Sequence, residues 1–87
     1  YTIDTTTGDA ATINKAAGRF RKDATGTTFT LTNSYITANS IVLLTFVDQD
    51  TTATVMSVVA AAGSATITFN AAPTADLNVN FLVVNTD

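Results

Sequence analysis

The side chains in this chain that could do chemistry are few, and nearly all are carboxylates or hydroxyls. Its 87 residues include seven Asp, four Lys or Arg and 19 Thr, but no His, Cys, Trp or Glu. General acid–base catalysis draws most often on His, and a Ser–His–Asp triad is impossible without it. Ser34, Ser40, Ser57 and Ser64 lack the G-x-S-x-G elbow that exposes a nucleophile. What remains is Asp48-Gln49-Asp50. Two Asp carboxyls about 5–9 Å apart are the apparatus of glycoside hydrolysis. The same oxygens suit Ca²⁺, which takes about six to eight oxygen ligands, but three side chains fall short of that. Asp is also a preferred turn residue, because its carboxylate bonds back to its own backbone. Followed by Thr51-Thr52, the segment reads as a hairpin turn. The chain is therefore expected not to be an enzyme and to carry no cofactor and no metal.

The bases, Lys15, Arg19, Arg21 and Lys22, cluster within eight residues. A net charge of −3 opposes a phosphate backbone, whose binding rests on Lys and Arg, so nucleic acid is not an expected partner. The cluster reads as a strand with its charges in water. No segment approaches the ~20 apolar residues of a membrane-crossing helix, so no membrane insertion is expected. The chain begins at Tyr1, not Met, and reads as a piece of a longer protein or a processed form.

These side chains must be positioned by strands. Thr, Val, Ile and Phe suit a pleated, half-buried surface, and they dominate the composition. Phe29 and Leu31 alternate with Thr28, Thr30 and Thr32. Ala65, Ile67 and Phe69 alternate with Thr66 and Thr68, and Leu77, Val79, Phe81 and Val83 with Asn78 and Asn80. Successive side chains on a strand face opposite ways, so these segments predict sheets with one wet side. Phe20 opposes Arg19 and Arg21 in the same manner. Turn signals fall at Gly8-Asp9, Ala17-Gly18, Thr25-Gly26, Asp48 to Asp50, Ala62-Gly63-Ser64 and Ala72-Pro73-Thr74. The predicted strands are 10–14, 18–22, 27–32, 40–47, 53–59, 64–70 and 77–85. The expected fold is all-β: a small antiparallel β-sandwich of about seven strands with jelly-roll-like or Greek-key connections. Residues 1–16 read as an N-terminal connector and first strand, with Thr5-Thr6-Thr7 flexible or paired to another chain, and 17–87 as the sandwich. In Asn33 to Asn39, either Asn33 or Ser34 caps one helical turn, or Tyr35 and Ile36 tuck under the core in a loop.

Two runs are apolar on both phases, Ile41 to Val47 and Leu82 to Val84. A central sandwich strand gives that pattern, and so does a strand whose outer side is covered by a partner chain. The second reading makes Val42, Leu44, Phe46, Leu82 and Val84 inter-subunit contacts. Tyr35, Asp48, Gln49 and Asp50 are the residues best placed to meet a partner or a glycan. The surface left over is rich in short hydroxyl and amide groups, which lose little entropy on ordering. It suits close packing of chains or weak recognition of a polar target such as a sugar.

The motifs Ala17-Gly18-Arg19-Phe20-Arg21-Lys22, Gly26 to Ser34 and Ile36-Thr37-Ala38-Asn39-Ser40-Ile41-Val42 resemble a module of tailed-bacteriophage structural proteins. Ala61 to Phe69 and Asn80-Phe81-Leu82-Val83-Val84-Asn85 extend the resemblance over roughly residues 8–85. It departs from the pattern between Asp48 and Met56. The resemblance implies a virion structural module at the C-terminal tip of a trimeric tail fibre or adsorption appendage, assembling as a homo-trimer. A host cell-surface polysaccharide or protein would be its further partner. It brings no catalytic residues. Two alternatives stand beside it: a capsid or head decoration protein, and a carbohydrate-binding module.

Overall fold

The computed structural model describes residues 1–85; Thr86 and Asp87, the end of the expected 17–87 unit, lie outside the described residues. Eight strands form: β1 Thr2–Gly8, β2 Ala10–Thr12, β3 Ala17–Lys22, β4 Thr28–Thr32, β5 Ile41–Phe46, β6 Met56–Ala61, β7 Ser64–Phe69 and β8 Leu77–Val84. They make two four-stranded sheets, β1-β3-β8-β5 and β2-β4-β7-β6. Every connection except β6–β7 passes from one sheet to the other. The chain thus folds into the expected small all-β sandwich, but not in jelly-roll order, since β1 lies beside β3 and not beside β8.

The central pairings β3·β8, β5·β8, β4·β7 and β6·β7 are antiparallel, whereas β1 adds to β3 and β2 to β4 in parallel. Parallel neighbours need a crossover. Here β2, lying in the opposite sheet, is the crossover between β1 and β3, and β3 serves β2 and β4 in the same way. Alternation within single strands carries no information about this. Thr5-Thr6-Thr7, expected as a connector, belongs to β1. The register of β1 on β3 shifts between Ile3 and Thr7. Side chains satisfy backbone groups at that irregularity: Thr6 N–H donates to Asp4 Oδ1 (2.8 Å), and Arg21 Nη1 donates to the Thr5 carbonyl (3.0 Å).

Among the described residues the one hairpin between consecutive strands turns at Ala62-Gly63, where Gly63 has φ +79°, a conformation that needs glycine at the second central position. Its amide also donates to the Ile36 carbonyl, and its carbonyl accepts from Asn33 N–H. No helical turn forms from 33 to 39. Asn33 is fully buried, its Oδ1 takes the Tyr35 N–H at 2.9 Å and its Nδ2 donates to the Lys15 carbonyl at 2.6 Å. Ile36 tucks into the core as expected, whereas Tyr35 stays 48% exposed.

The core lies between the sheets. Phe20 of β3 stacks on Phe29 of β4 with ring centroids 4.1 Å apart and an interplanar angle of 17°, and Phe81 lies 6.5 Å from Phe20. Leu31, Ile67, Leu77 and Val79 close around them, all at 1% exposure or less. The inward phase of β3 runs Gly18, Phe20, Lys22, so Lys22 corrects the expectation of a fully solvated basic strand. Its side chain is 0% exposed, and Nζ reaches Asp23 Oδ1 at 2.8 Å, the Asp23 carbonyl at 3.2 Å and the Thr25 carbonyl. The apolar stem covers the core while the amine is held by oxygens of the β3–β4 loop.

Candidate functional site

The acidic segment Asp48-Gln49-Asp50 lies after β5, but it is not a hairpin turn, because β5 and β6 belong to different sheets. Residues 47–55 cross between the sheets as a pinned loop. Asp50 accepts from the N–H groups of Thr52 (3.0 Å), Ala53 (2.9 Å) and Thr74 (3.0 Å) and from the Thr74 hydroxyl (2.7 Å). These bonds, led by that from Ala53, hold its carboxyl far below the usual carboxylate range. Asp48 Oδ2 accepts both the backbone N–H and the Nδ2 of Asn78, each at 2.8 Å, and these bonds lower its pKa. Asn70 completes the pinning: its Oδ1 takes the N–H groups of Thr54 and Val55. That is why the strand expected over 53–59 starts at Met56.

Phe46, Val47, Asp48, Gln49, Asp50, Ala53 and Thr54 line a cleft of about 380 Å³ at this end. Its two carboxylates are committed to backbone and amide donors and stay ionised, so neither is poised to give up or take a proton. Among the described residues no group of three or more His, Cys, Asp or Glu could hold a metal ion. Tyr35 lies on the β4–β5 segment, at the other end of β5. A six-residue strand separates it from the acidic loop by about 20 Å. The four residues expected to meet a partner or glycan therefore do not form one site.

The expected inter-subunit residues also divide. Val42 faces inward and is 8% exposed, and Leu44 and Phe46 share its phase and pack against the core. Leu82 and Val84, at 44% and 40% exposure, do face outward. Their cross-strand neighbours are Leu43 and Ile41, 51% and 48% exposed. On β5 the outer residues are the odd ones. A run apolar on both phases has no alternation to reveal which side is buried.

The outer face of the β1-β3-β8-β5 sheet thus has two halves. One is apolar: Ile41 beside Val84, then Leu43 beside Leu82. The other is polar. Arg19 pairs in register with Asn80 and Arg21 with Asn78. Arg19 Nε donates to Asn80 Oδ1 at 3.1 Å and Arg21 Nε to Asn78 Oδ1 at 3.2 Å; the Tyr1 hydroxyl also donates to Asn80 Oδ1, at 2.8 Å. The i, i+2 spacing of both pairs was visible in the sequence, but their pairing depends on which strands are neighbours. Among the described residues no helix is long and apolar enough to cross a membrane. Comparison with known proteins finds no matching family model, no match among curated proteins and no matching solved structure.

Proposed function

We propose that this chain is a bacteriophage virion structural module, the tip domain of a trimeric tail fibre or related adsorption appendage. It assembles with copies of itself and contributes to host-surface attachment. The observation that carries the assembly is the apolar half of the outer sheet face. Four branched side chains, Ile41, Leu43, Leu82 and Val84, stand 40–51% exposed and adjoin one another across β5 and β8. Contiguous exposed apolar surface on a small domain marks an interaction site more often than a solvated face. Covering the exposed part of each side chain contributes about 1 kcal/mol, which matters in a domain with so thin a core. The bacteriophage setting and the threefold state come from the motif resemblance over roughly 8–85.

Sedimentation velocity tests this reading. The chain at micromolar concentration is expected to run as a trimer, and Leu43→Asp with Leu82→Asp as a folded monomer. A wild-type chain that stays monomeric overturns it.

A further inference from the structure

The other half of the same sheet face holds two arginines that make no ion pair with a carboxylate among the described residues. The chain carries seven Asp against four bases. Yet among the described residues the only ion pair is Lys22 with Asp23. Arg19 and Arg21 are half-buried and fixed through Nε by Asn80 and Asn78. Arg21 spends Nη1 on the Thr5 carbonyl. Both Nη groups of Arg19 and Nη2 of Arg21 have no acceptor within the described chain. The charge of nearby Asp48 is felt by both guanidinium groups, but it forms no ion pair with either, its Oδ2 taking two donors from Asn78, and one carboxylate against two arginines leaves the patch net positive.

The two guanidinium groups sit at i and i+2 on one strand face, about 6.6 Å apart along β3. A guanidinium held through Nε keeps its outer fork in a set plane, which is the geometry that takes a carboxylate or phosphate by two parallel bonds. A merely solvated cation needs no such fixing. On a chain of net charge −3, this is a local positive site complementary to an anion. The two groups are aligned along one strand, so an extended chain can meet both in succession.

We propose that Arg19 and Arg21 form a binding site for an anionic cell-surface polymer, recognised through its carboxylate or phosphate oxygens. The proposal rests on the reading of the chain as a host-contacting module. It assigns the contact to the arginines of the open sheet face rather than to Tyr35 or to the carboxylates of the acidic loop.

The test is calorimetric titration of the full chain with polygalacturonate, with poly(glycerol phosphate) and with neutral dextran. Binding to at least one polyanion is expected, weakened about ten-fold or more in Arg19→Gln/Arg21→Gln and lost in about 0.5 M salt. Arg19→Lys keeps the charge but not the fork, and is expected to weaken binding while leaving thermal stability unchanged. Preference for the first probe identifies a uronate-type ligand, and preference for the second a phosphodiester; either supports the site. Equal binding of dextran, no binding of either polyanion, or full binding by the folded double variant overturns it. Sedimentation of the same samples separates the two readings. A monomer that binds polyanion refutes the trimer alone, and a trimer that binds none refutes this site alone.

Discussion

Lys22 sits on an inward position of β3 and is fully buried, yet three oxygens of its own loop satisfy its amine. Lys22→Ala removes the stem and leaves those oxygens without their donor, so a loss of about 3 kcal/mol is expected in denaturant unfolding. Lys22→Met keeps the stem and is expected to lose about half as much. Asp50 makes the complementary case for an anion. Its pKa is depressed in the folded chain by the N–H groups of Ala53, Thr52 and Thr74 and the Thr74 hydroxyl. Unfolded, it titrates near its ordinary value of 3.8. A depressed folded pKa means that its contribution is complete above the unfolded value and is lost as pH falls below it. Thermal unfolding followed from pH 7 to about pH 3 should therefore show the melting temperature falling more steeply in the wild type than in Asp50→Asn. Equal slopes would refute the role. The type of residue at 50 marked a turn in the sequence. That it ties the β5–β6 loop to Thr74, 24 residues on, is a tertiary fact.

At the scale of elements, β1 shows how narrow the tolerance is. Gly18 on β3 faces inward, and a Cβ there would lie 2.6 Å from the Thr2 carbonyl oxygen and 2.9 Å from ring carbons of Phe81. The carbonyl is backbone and cannot yield by rotating. Gly18→Ala is expected to push β1 off β3 and to cost about 2 kcal/mol. Amide exchange should accelerate over Thr2–Gly8 while the β4·β7 amides stay protected. Uniform acceleration would show instead that β1 folds as one unit with the rest. β4, β7 and β8 were legible in the sequence because each has one dry and one wet face. β1 was not, because an edge strand of Thr, Asp and Gly with the single apolar residue Ile3, itself exposed, has no apolar phase to read. The bounds of β6 were displaced for another reason: Asn70 captures the amides of residues 54 and 55 and holds them out of the ladder.

At the scale of the whole molecule, the assembly prediction gains an internal control from the two phases of β5. Val42→Asp puts a charge into the core and should unfold the chain, whereas Leu43→Asp should leave it folded and alter only its sedimentation. The opposite ranking would mean that β5 presents its other side. The composition by itself determined much. Without His, Cys or Glu the chemistry of the chain is confined to Asp, hydroxyls and a few bases, and period-2 patterning specified strands with one buried and one wet face, because alternation follows directly from strand geometry. The tertiary structure alone decided which strands are neighbours and which side of a doubly apolar strand faces out. It alone buried Lys22, committed Asp48 and Asp50 to structural bonds, and set Arg19 and Arg21 beside Asn80 and Asn78. The physical reason is range. Side-chain phase is a property of adjacent residues, whereas pairing across a sheet joins positions as far apart as Arg19 and Asn80, and no local pattern encodes that distance.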